Sequence, residues 1–128
     1  VTGGSRADRP ERGFFYEPTI LTGVRPDDYI AQEEVFGPVL TVLRYRDDDE
    51  AVAIANNSAY GLGGAVYGSD VDRALAVARR IRTGQVSING CIAGDAPFGG
   101  FGQSGIGREG GVLGLRNYME PKAIGVPA

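Results

Sequence analysis

The stretch GGAVYGSDVDRALAVARRIRTGQVSIN, residues 63–89, decides the fold class of this chain. Its two ends, GGAVYG at 63–68 and QVSIN at 85–89, are short apolar runs typical of β-strands. Between them, apolar residues recur at the spacing of one helix face, namely Val71, Ala74, Leu75, Ala78 and Ile81. A strand, a helix and a second strand in this order predict parallel strands joined by a right-handed crossover.

The ends of the predicted helix can also be placed. Ser69 is followed three positions later by Asp72, which resembles a capping box, so we expect Ser69 to be the N-cap. Gly84 is expected at the C′ position beyond the helix. The negative C-terminal end of the helix dipole suits the basic side chains of Arg79, Arg80 and Arg82.

The flanking residues extend the pattern. VLTVLRY (39–45) predicts a strand, and the acidic run at 47–50 predicts the start of a helix that continues through AVAIANN (51–57). PTILTGV (18–24) predicts a further strand, and NYMEPKAIGVPA (117–128) predicts an extended arm. The alternation predicts an α/β fold: a parallel βαβαβ sheet with helices on its faces, followed by a C-terminal extended arm.

Composition narrows the possible partners. The chain has 128 residues, a net charge of −3 and no histidine, and its N-terminus lacks an apolar segment typical of a secretory signal. No apolar run approaches the ~20 residues of a membrane span. A single cysteine suits a reducing compartment. We therefore expect no nucleic-acid or membrane partner, no metal site and a cytoplasmic location.

The segment GFGQSG at 100–105 matches the dinucleotide-binding pattern G-x-G-x-x-G. That fingerprint requires a strand directly before the first glycine and a helix at the last one. Here the predicted strand ends near Asn89, and Pro97 intervenes. One interpretation is an independent βαβ nucleotide-binding domain built on this segment. The other, which we favour, is a tight loop whose glycines pack closely against backbone or a ligand.

A second segment, QEEVFGPV at 32–39, places two carboxylates before an aromatic ring and a Gly-Pro turn. Glu33 and Glu34 are either surface charge or include one carboxylate that points into a cleft. A carboxylate there accepts hydrogen bonds from a vicinal diol such as a ribose, while Phe36 packs on a flat ring. Consecutive residues of extended backbone point to opposite sides, so the two glutamates should have different roles.

Five segments, in order, resemble sequence blocks of the aldehyde dehydrogenase superfamily. They cover nearly the whole chain, and together they are far more specific than any single motif. They are FFYEPTIL (14–21), EEVFGPV (33–39), IANNSAYGLGGAVYGSD (54–70), GQVSING (84–90) and PFGGFGQSGIGREGG (97–111).

The resemblance implies a fragment of a longer enzyme. Members of the superfamily have an N-terminal cofactor-binding domain, a catalytic domain and an oligomerisation arm, and oxidise an aldehyde with NAD or NADP. A cysteine thiolate attacks the aldehyde, hydride passes to nicotinamide, and a glutamate base assists hydrolysis of the thioester. Residues 1–116 correspond to the C-terminal portion of the catalytic domain, and residues 117–128 to the arm.

The resemblance also assigns site residues. Glu34 matches the ligand of the nicotinamide ribose, and Phe36 matches the aromatic beside the nicotinamide. Phe98 matches an aromatic of the substrate tunnel, although it could be ordinary core. Cys91 is the only thiol, yet the family's nucleophile belongs to a different motif upstream of residue 14, so Cys91 is at most a neighbour of the tunnel. We expect structural roles for Asn89 and, through polar contacts in the loop, for Arg108 and Glu109.

No catalytic residue is therefore expected in this chain, which alone should be inactive. NAD or NADP would be bound mostly by the N-terminal domain, the substrate would be a small-molecule aldehyde, and the arm would form a homo-oligomer, a dimer or tetramer. The alternative is a free-standing, non-catalytic partner or oligomerisation module of the same fold. The upstream sequence discriminates between them, because only the enzyme needs a nucleophile and a base there.

Overall fold

The structure is a computed structural model that describes residues 1–6, 8 and 12–127. Contacts between residues divide the chain into two units, Val1–Ser58 and Ala59–Ala128. We describe each unit by itself.

The first unit contains two strands and two helices. Strand β1 spans Thr19–Thr22, helix α1 spans Tyr29–Gln32, strand β2 spans Val39–Val42 and helix α2 spans Asp48–Asn56. β1 and β2 pair in parallel, with Thr19 opposite Val39 along the register. The α1 segment is the connection between these strands, as parallel pairing requires.

The second unit repeats the strand–helix–strand arrangement. Strand β3 spans Gly63–Val66, helix α3 spans Val71–Ala78 and strand β4 spans Gln85–Ile88. β3 and β4 pair in parallel, and α3 contacts both strands. A 3₁₀ turn at Gly102–Ser104 and helix α4 at Gly111–Arg116 follow.

The α/β class is confirmed, and the four predicted strands and two predicted helices are present. In the described part of the chain each unit contains one two-stranded parallel sheet, β1–β2 in the first and β3–β4 in the second. Periodicity identifies a strand, whereas its hydrogen-bonding partner depends on tertiary contacts that periodicity does not contain.

The helix ends correct two predictions. The N-cap of α3 is Asp70 and not Ser69: the Asp70 carboxylate accepts a hydrogen bond from the Arg73 N–H at 3.0 Å. Gly84 is not a C′ residue, because α3 ends at Ala78 with Arg79 as its C-cap. Gly84 instead precedes β4, where a Cβ atom would overlap the carbonyl oxygen of Gly99.

Two short helices were not predicted. Helix α1 has only four residues and no side-chain cap. Helix α4 lies in a glycine-rich segment and itself contains Gly111 and Gly114. Gly114 is buried in it, and a Cβ there would lie 2.8 Å from the carbonyl carbon of Glu109. Glycine at this position allows close contact between the helix and the preceding backbone.

Few side chains are buried. Among the described residues the buried hydrophobic side chains are Val52 and Ala74, and the buried polar one is Thr19. On the β1–β2 sheet, Ile20 and Leu40 lie opposite each other and are 43% and 58% exposed. Adjacent exposed apolar side chains of this kind mark a surface that further polypeptide can cover.

Backbone contacts around Gly61 join the parts of the second unit. The buried Gly61 accepts hydrogen bonds at its carbonyl oxygen from the N–H groups of Gly84, at 3.0 Å, and Phe101, at 2.8 Å. Its own N–H donates to Ser104 Oγ at 3.0 Å. One residue thus ties the start of β3 to the start of β4 and to the loop at 97–109.

We predict that Gly61→Ala lowers the free energy of unfolding. A Cβ at residue 61 would lie 2.5 Å from the Arg82 carbonyl oxygen, which is backbone and cannot move alone. Overpacking of this kind costs about 1–3 kcal/mol. The matched control is Gly63→Ala, because a Cβ there has no heavy atom within 4 Å. Thermal unfolding followed by circular dichroism should show a lower Tm for Gly61→Ala only; equal Tm values would contradict the prediction.

Helix α2 begins as predicted, with Asp47 as its N-cap and a hydrogen bond of 2.8 Å from the Glu50 N–H. The Glu50 carboxylate accepts from the Arg46 Nε at 2.9 Å and from the Arg46 N–H at 2.7 Å. The side-chain bond first, and the backbone bond second, hold the pKa of Glu50 below its ordinary value of 4.5. Both bonds favour the charged carboxylate.

We predict that Arg46→Met raises the pKa of Glu50 toward 4.5, because it removes the stronger of these bonds. A pKa lowered by folding stabilises the folded state above the ordinary pKa, and that contribution is lost as the pH falls through the folded-state value. NMR titration of the Glu50 carboxyl group measures its pKa in the unsubstituted chain and in Arg46→Met. A pKa at or above 4.5 before substitution contradicts the assignment.

Candidate functional site

A depression of about 330 Å³ lies in the first unit where α1 leads into β2. We call it the Glu34 depression. Its volume lies within the range of small-molecule sites, about 300–1,000 Å³. It combines two carboxylates with apolar side chains, and is lined by Ile30, Ala31, Glu33, Glu34, Val35, Phe36, Gly37, Val39 and Thr41. Glu33 and Glu34 thus line the same depression, so the structure does not separate their roles.

Phe36 has an unusual backbone conformation in this depression. Its φ is +52°, in the left-handed region that bulky residues rarely adopt, and its side chain is 89% exposed. The conformation costs about 1–3 kcal/mol, and the exposed ring returns little burial energy within the described chain. Strain without compensating burial is typical of residues held in place for a ligand.

Side chains outside the predicted set hold α1 in place. The Gln32 amide donates hydrogen bonds to the carbonyl oxygens of Pro26, at 2.6 Å, and Asn57, at 2.8 Å. Asn57 donates to the Asp27 carboxylate at 3.0 Å. The sequence motifs do not indicate these contacts. The Pro-Asp-Asp sequence before Tyr29 could have indicated a helix start, but no local signal indicates the contact between Gln32 and Asn57.

A second depression, of about 340 Å³, lies in the second unit. We call it the Phe98 depression. Phe98 is 48% exposed, and its backbone pairs with Glu109 through two hydrogen bonds of 2.8 Å. The depression combines aromatic and apolar side chains with loop glycines, and is lined by Leu62, Phe98, Gly99, Gly100, Ser104, Gly107, Arg108, Glu109, Asn117 and Tyr118.

Arg108 fixes the loop beside Phe98, as predicted. Its Nη1 donates hydrogen bonds to the carbonyl oxygens of Gly100, at 2.9 Å, and Gly107, at 2.8 Å. Its guanidinium carbon lies 5.6 Å from the centroid of the Phe101 ring, within the range of a cation–π contact. Glu109 contributes through its backbone bonds to Phe98.

The GFGQSG segment is a close-packing loop. Residues Gly102–Ser104 form a 3₁₀ turn, and β4 ends at Ile88, so no strand directly precedes Gly100. The Gln103 N–H donates to the Ala59 carbonyl at 2.8 Å, and a Cβ on Gly102 would overlap the same oxygen. The strand–turn–helix geometry of a dinucleotide fingerprint is not formed here.

The residues after β4 have distinct surroundings. Cys91 is an exposed free thiol, and it is not among the residues that line the Phe98 depression in the described chain. A role beside the substrate tunnel stays a prediction. Asn89 has the structural role expected of it: with φ at +49°, its amide donates to the Gly68 carbonyl and accepts from the Gly68 N–H, both at 2.9 Å.

The carboxylates and the aromatic ring of the Glu34 depression suit a ligand with a diol and a flat ring. Carboxylates accept hydrogen bonds from hydroxyl groups, and the exposed Phe36 ring offers a face for stacking. No group of three or more His, Cys, Asp or Glu residues that could hold a metal ion occurs within residues 1–6, 8 and 12–127. In the same part of the chain, no helix has the length and apolar character needed to cross a bilayer.

We predict that Phe36→Gly is more stable than Phe36→Ala. Both variants remove the ring, but only glycine adopts a positive φ without steric cost. The difference in the free energy of unfolding should be about 1 kcal/mol in favour of glycine. Chemical denaturation measures it. A variant pair of equal stability would show that residue 36 is unstrained.

Comparisons with known proteins identify the family. The aldehyde dehydrogenase family profile matches residues 1–124. The chain is 52% identical over 126 residues to an NADP⁺ succinate-semialdehyde dehydrogenase of Deinococcus radiodurans. It is 48% identical over 125 residues to a geranial dehydrogenase of Castellaniella defragrans. Both alignments cover 97% of this chain and 26% of the relative, so the chain spans about a quarter of the relatives' length.

Solved structures agree. An NAD⁺ complex of a Mycobacterium tuberculosis aldehyde dehydrogenase is 42% identical, with a TM-score of 0.91, and the match covers 99% of this chain and 26% of that one. A mutant aldehyde dehydrogenase C of Pseudomonas syringae, with NAD⁺ and octanal, is 50% identical, with a TM-score of 0.88 and coverage of 95% and 26%. The chain belongs to the aldehyde dehydrogenase family.

Proposed function

We propose that this chain is the C-terminal part of an aldehyde dehydrogenase that oxidises an aldehyde to a carboxylic acid with NAD or NADP. Residues 1–116 would belong to its catalytic domain and residues 117–128 to its oligomerisation arm. The observation that carries the proposal is Phe36, strained and exposed beside Glu34 in one depression. The comparisons support it, because a relative in sequence is a succinate-semialdehyde dehydrogenase and two of the similar solved structures contain NAD⁺.

Glu34 and Phe36 would hold the cofactor. The Glu34 carboxylate accepts hydrogen bonds from ribose hydroxyl groups, and the Phe36 ring packs beside the nicotinamide. NAD or NADP, when bound, accepts a hydride from the substrate carbon. The contribution of this chain is to fix the orientation of the ring, since hydride transfer depends on short, aligned contact between the reacting atoms.

Phe98 would contact the aldehyde. The Phe98 depression places its half-exposed ring with Leu62 and Tyr118, so it suits the apolar part of a substrate. Cys91, as a neighbour of the tunnel, is the weaker candidate. The nucleophilic cysteine and the glutamate base would come from the remaining polypeptide, and the chain alone would be inactive.

The arm would join subunits into a homo-oligomer, a dimer or tetramer, in the cytoplasm. Ile124 and Val126 are 76% and 83% exposed, and residues 119–127 form no strand in the structure. An extended apolar segment of this kind can add a strand to the sheet of another subunit. The N–H groups of Asn117, Tyr118 and Met119 donate to carbonyl oxygens of α4, so the arm leaves the helix after Met119.

The experiment uses the complete enzyme, meaning the polypeptide that carries this chain together with the remaining length of its relatives. Glu34→Gln should slow hydride transfer by about tenfold, because one ring-orienting contact is weakened. The dissociation constant of the cofactor should change much less, since most cofactor contacts would lie in the N-terminal domain. Stopped-flow NAD(P)H formation measures the first quantity, and fluorescence titration measures the second.

The chain alone serves as the control and should form no NAD(P)H with any aldehyde. Aldehyde-dependent formation by the chain alone, or an unchanged hydride-transfer rate in Glu34→Gln, contradicts the proposal. If the complete protein has no nucleophilic cysteine and no glutamate base, the chain is instead a non-catalytic module.

A further inference from the structure

We infer that Gln32 is a positioning residue: its side chain anchors the Glu34 depression to the C-terminal end of helix α2. The inference rests on the proposed function, because it concerns the placement of Glu34 and Phe36. It is carried by the hydrogen bonds around α1, none of which follows from the sequence blocks that identify the family.

Helix α1 cannot hold its own position. It spans four residues, whereas isolated helices shorter than about 12 residues are marginal in water. Asp28, at its N-cap, does not cap it, because the Asp28 carboxylate accepts from the Arg25 N–H at 2.8 Å and the Arg25 Nε at 3.0 Å. The orientation of the helix must therefore be set by contacts from outside it.

Gln32 supplies those contacts at the C-terminal end of α1. Its Nε2 carries two N–H donors, and both acceptors are backbone carbonyl oxygens: Pro26 before the helix and Asn57 beyond α2. The side chain is partly buried. One amide thus closes the turn in which α1 lies and ties it to a residue 25 positions away.

The anchor at the other end is a better-supported element. Helix α2 is nine residues long, is capped by Asp47, and includes the buried Val52. Asn57 is its C-cap, and its side chain donates to Asp27 at 3.0 Å, so that the two segments are joined in both directions. The position of α2 therefore fixes the carbonyl group to which Gln32 binds.

The carboxylates of the depression follow Gln32 directly. Glu33 is extended, with φ at −104° and ψ at 143°, and its N–H still bonds to the Tyr29 carbonyl at 3.0 Å. Glu34 and Phe36 follow directly along the chain, in a described segment with no helix or strand between α1 and β2. A displacement at Gln32 therefore moves the carboxylate and the ring together.

The test compares two substitutions in the complete enzyme. Gln32→Met keeps the length and helix propensity of the side chain but removes both donors. Gln32→Lys restores N–H donors to the same carbonyls. We expect hydride transfer to slow by about tenfold in Gln32→Met, a size typical of small misplacements, and to recover most of that loss in Gln32→Lys. The deuterium isotope effect on kcat should be larger in Gln32→Met, because hydride transfer then limits a larger share of turnover.

One control variant and three possible outcomes complete the test. Gln103→Ala, at an exposed glutamine that lines neither depression, should keep the hydride-transfer rate. If Glu34→Gln slows hydride transfer and Gln32→Met does not, the inference is overturned and the proposed function stands. If neither slows it, the proposed function fails. If Gln32→Met lowers Tm and weakens cofactor binding as much as it slows hydride transfer, and Gln32→Lys does not recover the rate, Gln32 has only a structural role and the inference is overturned.

Discussion

The second unit depends on contact between backbones rather than between side chains. Gly61 is buried and bonds to three residues in two different segments through its own N–H and carbonyl groups. Gly99, Gly100 and Gly114 are also buried, whereas Ala74 is the buried apolar side chain described in this unit. Where backbones approach this closely, a side chain is excluded by volume, so glycine content and fold are linked directly. The loop that carries Phe98 inherits its shape from these contacts and from Arg108.

The first unit differs from the second in that its site consists of exposed groups, whose orientation depends on side-chain hydrogen bonds. Glu34 and Phe36 lie on a connection between parallel strands, the usual place for functional residues on a rigid scaffold. Connections of this kind lack the repetitive hydrogen bonding of a helix or strand. Side-chain hydrogen bonds replace it: Gln32 donates to two backbone carbonyl oxygens, and Asn57 donates to the Asp27 carboxylate. Phe36 keeps its strained conformation because its segment is fixed at one end by Gln32 and at the other by β2.

Local features were predictable and contacts between distant segments were not. The four strands and helices α2 and α3 followed from apolar spacing and turn residues. The N-caps were right to within one residue, since Asp70 replaced Ser69, whereas α3 ends well before the predicted C′ residue Gly84. The assignment of Glu34 and Phe36 to cofactor binding rests on the family resemblance and stays a prediction. Three features could not be predicted: the pairing of β2 with β1, helices α1 and α4, and the hydrogen bonds of Gln32. Each depends on contacts between residues far apart in sequence, or on glycines that pack against distant backbone. The spacing of the glycines in GFGQSG matches that of a dinucleotide-binding loop, because close backbone packing and phosphate binding both require residues without a Cβ atom.

The exposed face of the β1–β2 sheet has a consequence for biosynthesis. Ile20 and Leu40 lie side by side without cover in the described chain, and a two-stranded sheet is only marginally stable by itself. In the proposed enzyme this chain would leave the ribosome last, after the larger N-terminal portion has had time to fold. A preformed surface would then be present when these strands emerge, and the apolar face would spend little time in water. Expressed alone, the same strands would lack that surface and would be prone to associate with one another.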